Sequence, residues 1–278
     1  MPELPEVETI RRALLSGEEN RPALPGLTIS GAEVFWERSI QVPTSNEFSS
    51  QIKGQEIADI SRRGKYLIFS LSDLFLIIHL RMSGDLWVEE KDAERGTHHR
   101  VWIFFSQGYR LTFNDPRKFG RVWLIKNSEE VLSRLGPEPF DRDFLPETLY
   151  SMLQRKKRQL KPLLLDQTFI AGLGNIYTDE SLNLACLHPS LLSSQVHEEE
   201  AHRLWWSIRE TLEQGIRQNG ASIDWVFRGG EFQNHFRVYG RINQPCFTCG
   251  RMIVHSVVGH RSTYYCPFCQ VLPVDDRL

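Results

Sequence analysis

Residues able to do chemistry cluster near both ends of the 278-residue chain. Cys246-x2-Cys249 and Cys266-x2-Cys269 are separated by sixteen residues. Two residues between thiolates let one tight turn offer both sulfurs to one ion, and two such turns close a tetrahedral site for one structural Zn2+. Pro245, Gly250 and Pro267 supply the turn chemistry. Two disulfides are the alternative, in an oxidising compartment. Four thiolates leave no open position for hydrolytic metal chemistry. At the other end the chain opens Met1-Pro2-Glu3, and an initiator methionine before so small a residue is normally removed. That frees the secondary amine of Pro2, an α-amine whose pKa near ~8 leaves a useful fraction unprotonated at neutral pH. Such an amine attacks an aldehyde-like carbon and forms an iminium directly, with Glu3 placed to carry the proton. The alternative is an ordinary frayed terminus. The fifth cysteine, Cys186, reads as a small buried hydrophobe.

Composition sets the frame for these groups. Hydrophobic residues at 41% and charged residues at 24% are those of a globular chain, and the length favours two domains. No apolar run nears the ~18 residues of a membrane span, and the acidic N-terminus has no secretory apolar core, so a cytoplasmic chain is expected. The net charge of −2 argues mildly against nucleic-acid binding, but it hides clustering. Arg237 to Gln270 holds four arginines and no acid, and Arg155 to Lys161 holds five cations and no acid. Clustered charge on one face, not the sum, governs polyanion binding.

Periodicity supplies the elements that must position these groups. Pro5–Leu15 reads as a helix. Eight strand-like runs follow: Thr28–Trp36, Glu56–Arg62, Lys65–Leu71, Phe75–Arg81, Leu86–Glu89, Val101–Phe105, Tyr109–Asn114 and Arg121–Ile125. With glycines at the turns they predict a β-sandwich, and the leading helix makes the class α+β. Gly136-Pro137-Glu138-Pro139-Phe140 is a Pro-rich break. Helical patterns follow over Glu147–Gln154, Pro162–Leu165, Asn175–Ala185 and Glu198–Gln218, and short strands surround the cysteines. The expected division is a catalytic sandwich over 1–136, a linker over 137–150, a helical domain over 151–236 and a zinc finger over 237–278.

Several segments, in order, resemble formamidopyrimidine-DNA glycosylases, bacterial enzymes that repair oxidised purines. They are Met1-Pro2-Glu3-Leu4-Pro5-Glu6-Val7-Glu8-Thr9, Arg62-Arg63-Gly64-Lys65-Tyr66-Leu67, His79-Leu80-Arg81-Met82-Ser83-Gly84, Asp115-Pro116-Arg117-Lys118-Phe119-Gly120 and Leu135-Gly136-Pro137-Glu138-Pro139. They continue with Ile170-Ala171-Gly172-Leu173-Gly174-Asn175-Ile176-Tyr177, Val238-Tyr239-Gly240-Arg241 and the finger ending Arg261 to Gln270. The resemblance implies a bifunctional glycosylase and abasic-site lyase with a helix–two-turn–helix domain, acting as a monomer on double-stranded DNA that contains damaged bases or abasic sites. It implies that Pro2 attacks C1′ of an everted nucleotide, that Glu3 assists base departure and ring opening, and that Lys65 donates a proton in the first elimination. It assigns Arg261 to the second elimination. An arginine is so weak an acid that an electrostatic clamp on the phosphate is the better description.

Met82, Arg117 and Phe119 match the family's void-filling triad: an apolar wedge enters the emptied stack and Arg117 hydrogen-bonds the widowed base. Without the resemblance, Met82 would read as core and Lys65 as a strand-edge cation, whereas the flanking Arg117-Lys118 and Gly120 favour an exposed loop tip for Phe119. Asn175 is read as capping a helix whose N-terminus grips a phosphate, and Lys156 and His98 as further DNA contacts. Three departures stand out. Thr97-His98-His99-Arg100 lacks the usual His-x-His pattern. The loop within 221–236 is shorter than the family's, which leaves lesion preference open. The acidic balance predicts weak nonspecific DNA binding. The alternatives are an endonuclease VIII-like glycosylase for oxidised pyrimidines, disfavoured by Leu4-Pro5 and the Arg117/Phe119 wedge, and a non-catalytic zinc-dependent damaged-DNA binder.

Overall fold

The computed structural model describes residues 1–17, 20–222 and 229–273, which form two compact units. The first comprises Met1–Arg134 and Asn219–Gly230. Its helix α1 (Leu4–Ser16) precedes β1 (Ile29–Val34), β2 (Ile40–Val42), α2 (Ser45–Gln51), β3 (Ile57–Arg63), β4 (Tyr66–Leu71), β5 (Phe75–His79), β6 (Asp85–Glu90), β7 (His99–Phe105), β8 (Tyr109–Asn114), β9 (Arg121–Ile125) and α3 (Glu129–Leu132). The strands build two sheets, ordered β1-β7-β8-β6 and β2-β9-β5-β4-β3, antiparallel except at the β2–β9 pair. Alternate residues point into one shared core: Leu67, Phe69 and Leu71 of β4, Leu76 and Ile78 of β5, Val101, Ile103 and Phe105 of β7, and Leu111 and Phe113 of β8. This is the expected sandwich, because a period of two places every second side chain on the buried face.

The strands over 109–114 and 121–125 fall where alternation predicts them. The sequence reading overlooked β2, α2 and the single-turn α3. A three-residue edge strand carries too little pattern to detect, whereas the capping box Thr44-x-x-Glu47 does mark the start of α2.

Helix α1 closes the core with Val7, Ile10 and Leu14. Its polar face is as heavily tied. Glu8, 7% exposed, accepts from Arg11 Nε (2.9 Å) and Nη2 (2.8 Å), Arg12 Nε (2.8 Å) and Arg62 Nε (3.2 Å). Arg62 passes the connection on, donating Nη1 to the Gly64 carbonyl at 2.9 Å, in the turn that leads into Lys65. The first helix is thereby fastened to the β3–β4 hairpin.

The second unit comprises Leu135–Gln218 and Glu231–Leu278. It contains α4 (Pro146–Gln154), α5 (Leu160–Leu164), α6 (Asn175–Leu184), α7 (Glu198–Arg217) and the hairpin β10 (Val254–Val258)/β11 (Arg261–Tyr265). Helix α7 packs on α4 and α6 through Leu204, Ile208 and Leu212. The Pro-rich segment is wound into this unit: Gly136 N donates to Gln167 O, and Ala171 N to Pro137 O. A Cβ at Gly136 would lie 2.6 Å from the Phe169 carbonyl, so only glycine fits. Cys186 is exposed, not buried as expected: it follows the C-cap of α6 with φ +57°, where the chain reverses out of the helix. No helix among the described residues is long and apolar enough to cross a membrane.

Burial alone would raise the Glu8 carboxyl pKa, but hydrogen bonds from Arg11 and Arg12 and the charges of Arg11 and Arg62 outweigh it and hold the value at about 2. Glu8 therefore stabilises the folded state above the ordinary carboxylate pKa, and that contribution fades as pH falls toward 2. Glu8→Gln should lower the melting temperature at pH 7, with a gap to wild type that narrows between pH 4.5 and 2.5 in calorimetry. A gap independent of pH would show that the ion network contributes nothing.

Candidate active site and DNA interface

In the first unit, Pro2 and Glu3 are buried and Glu3 is 2% exposed. Glu3 is the N-cap of α1, and its backbone N donates to Glu6 Oε2 at 2.7 Å in a capping box. The other oxygen of Glu6 accepts from Ala221 N at 2.7 Å, so one carboxylate holds both the chain start and the entry to the 221–236 loop. Residues 223–228 of that loop lie outside the described residues. Lys65, in the turn just before β4, is only 4% exposed, which excludes the solvated strand-edge reading.

Met82 (38% exposed) and Phe119 (44%) stand on separate loops, and Arg117 lies over the Phe119 ring at 5.1 Å. Fully buried Asp115 joins the two loops. Its Oδ1 accepts from the Ser83 hydroxyl and from Arg117 N (3.1 Å), and its Oδ2 accepts from Gly120 N (2.7 Å). Arg117 N also donates to Ser83 Oγ at 3.1 Å. Exposed apolar tips on a buried polar brace are the reverse of core packing. His98 is exposed; its carbonyl accepts from Asp115 N at 2.9 Å, which ties it to the same brace, whereas neighbouring His99 is buried.

The second unit carries the other candidates. Lys156 is exposed, with Arg155, Lys157 and Arg158. Lys161, counted in the same basic run, is fully buried and paired with buried Asp179 at 2.6 Å. Asn175 does not cap α6. Gly174 is the N-cap, and Asn175 Nδ2 instead donates to the Ser262 carbonyl at 3.0 Å, because β11 passes within reach of the helix start. Lys161 Nζ donates to the same carbonyl at 2.6 Å, and Asp179 Oδ2 accepts from Tyr264 N at 3.0 Å. Fully buried Glu180 accepts from the backbone N of Arg237 (2.8 Å), Val238 (3.0 Å) and Tyr239 (2.8 Å). Burial raises its pKa, and these three donors oppose the shift.

Arg261 is exposed just past the hairpin turn, where Gly259 and His260 both take positive φ, +57° and +62°. Two such residues between paired strands make the tight turn that suits the strand twist. The sequence reading missed Asp179, Glu180 and Asn183. Polar residues at helical spacing with Asn175, in an otherwise buried helix, were the signal.

The four cysteine sulfurs lie within 4.8 Å of one another, with Cys249–Cys266 at 3.5 Å and Cys246–Cys269 at 4.0 Å. A tetrahedral zinc thiolate site needs sulfurs about 3.8 Å apart, whereas a disulfide needs about 2 Å. The cluster fits one Zn2+ and not two disulfides. Among the described residues, the buried apolar cluster around it is Val238, Cys246, Ile253 and Cys266, with Tyr264 partly buried against it, too little to hold the finger without metal.

Three family models cover the chain: the formamidopyrimidine-DNA glycosylase N-terminal domain over residues 1–122, the formamidopyrimidine-DNA glycosylase H2TH domain over 135–226, and a zinc finger found in FPG and IleRS over 243–271. Formamidopyrimidine-DNA glycosylases of Pelotomaculum thermopropionicum and Shouchella clausii are 42% and 43% identical, over 97% and 98% of this chain and 99% and 100% of theirs. A Lactococcus lactis Fpg solved with abasic-site DNA superposes with a TM-score of 0.90 at 37% identity, over 97% of this chain and all of that one. A MutM solved with DNA containing carbocyclic 8-oxo-G gives 0.89 at 39%, with the same coverage. The chain belongs to the formamidopyrimidine-DNA glycosylase family.

Removing the zinc, verified by elemental analysis, should lower affinity for duplex DNA by about tenfold or more at physiological salt, as the Arg-bearing finger is lost. Unchanged binding after verified metal loss would contradict a structural zinc.

Proposed function

We propose that the chain is a bifunctional DNA glycosylase and abasic-site lyase of base excision repair that excises 8-oxoguanine and formamidopyrimidines. The observation that carries this reading is the chain start: Pro2 is buried and the adjoining Glu3 is held in the capping box of a docked helix instead of fraying. Relatives solved with abasic-site and N7-benzyl-Fapy-dG DNA support the substrate class. After loss of Met1, the Pro2 nitrogen attacks C1′ of the everted nucleotide and the glycosidic bond breaks. The base leaves with a proton, and Glu3 assists as the sugar ring opens to the iminium. The iminium acidifies C2′. Loss of a C2′ proton expels the 3′ phosphate, with Lys65 as the proton donor in this elimination. Arg261 then clamps the 5′ phosphate as it departs in the second.

Met82 and Phe119 fill the vacated stack and Arg117 pairs with the orphaned base. Asn175, Lys156 and His98 contact the backbone. The zinc held by Cys246, Cys249, Cys266 and Cys269 supplies rigidity, not chemistry. The protein acts as a monomer in the cytoplasm, associated with the nucleoid through duplex DNA.

Borohydride should trap a covalent enzyme–DNA adduct on an 8-oxoguanine duplex, and Pro2→Gly should lower its yield at least ~100-fold. No adduct on a panel of oxidised-purine duplexes would overturn the lyase reading. Adducts on oxidised pyrimidines alone would move the enzyme to the endonuclease VIII-like group.

A further inference from the structure

His79 ends β5, three residues before Met82. Its ring is 6% exposed and lies edge-on to Tyr66, with centroids 4.4 Å apart. Its Nδ1 accepts from Arg81 N at 2.9 Å. Only an unprotonated Nδ1 can do so, which places the proton of the neutral ring on Nε2. Burial, then the charges of Arg81 and Lys65, hold the imidazole well below its ordinary pKa, so the acceptor persists at working pH.

The held residue is unusual. Arg81 takes φ +57°, the left-handed region that a side chain seldom adopts without support. The turn is tight: Gly84 N donates to Leu80 O at 2.9 Å, and a Cβ at Gly84 would lie 2.4 Å from that oxygen. Met82 is therefore gripped on both sides, by Ser83 and Asp115 after it and by the His79 ring before it.

We propose that His79 is a positioning residue for base eversion, whose Nδ1, by holding the Arg81 amide, fixes the Met82 tip in the geometry that fills the emptied stack. This rests on the wedge reading of Met82. It separates insertion into the duplex from the covalent chemistry, because an abasic site in a single strand has no stack to fill.

The test is single-turnover cleavage of an 8-oxoguanine duplex beside cleavage of a preformed abasic site in a single strand. Asn offers Oδ1 as many bonds from the backbone as Nδ1, Gln mimics Nε2, and Phe keeps the ring but has no acceptor. His79→Phe should slow the duplex reaction about tenfold, the effect of one lost buried hydrogen bond, and leave the single-strand reaction unchanged. His79→Asn should recover most of the duplex rate, and His79→Gln should not. Equal losses on both substrates, or recovery by Gln but not Asn, would overturn the proposal. Met82→Ala serves as the control: if it excises from duplex at the wild-type rate, the wedge reading itself fails, whereas a slow Met82→Ala beside a fast His79→Phe refutes the role of His79 alone.

Discussion

A polypeptide terminus is ordinarily its most mobile part, and a catalytic amine there is useless unless that motion is removed. Helix α1 removes it. Apolar Val7, Ile10 and Leu14 bury one side in the sandwich, Glu6 takes the Glu3 amide and the Ala221 amide, and Glu8 gathers three arginines. Because Arg62 also holds the Gly64 carbonyl, the anchor that stills the chain start reaches the turn leading into Lys65. The proposed nucleophile and the proposed proton donor thus depend on carboxylates that never touch a substrate.

The second unit solves a comparable problem with other means. Its finger has a small apolar core, so thiolates at one end and the buried carboxylates Asp179 and Glu180 of α6 supplement it. Asp179 and Glu180 together engage four backbone amides, and Asn183 Nδ2 donates to Gln270 Oε1, whose oxygen also accepts from Cys266 N. Removing any partner would leave a buried charge or amide unsatisfied, which costs more than the bond itself contributes. Rigidity at the hairpin base is what makes an exposed arginine at its tip a defined charge instead of a mobile one.

The sandwich was legible because alternation is a direct consequence of strand geometry, and the zinc site because CxxC spacing is a consequence of turn geometry. Position along a motif did not reveal partnership. Asn175 sits where a cap belongs, yet its amide serves the Ser262 carbonyl. Lys161 belongs to a basic run in sequence but is buried on Asp179, since its neighbour across the fold is 18 residues away along the chain. The Asp115 brace lay unread inside two segments of the resemblance, because each half of it shows only one of the two loops it joins. Residues whose task is to hold another residue leave little trace in local pattern.

The central claim is that the Pro2 nitrogen, freed by processing, becomes the covalent link to the sugar. Proteolysis of the borohydride-reduced complex, followed by mass spectrometry of the DNA-bearing peptide, tests it directly. The account predicts a peptide that begins at Pro2 with the sugar on its first nitrogen. A sugar attached to Lys65 or any other lysine, or active enzyme whose chain still starts at Met1, would contradict it.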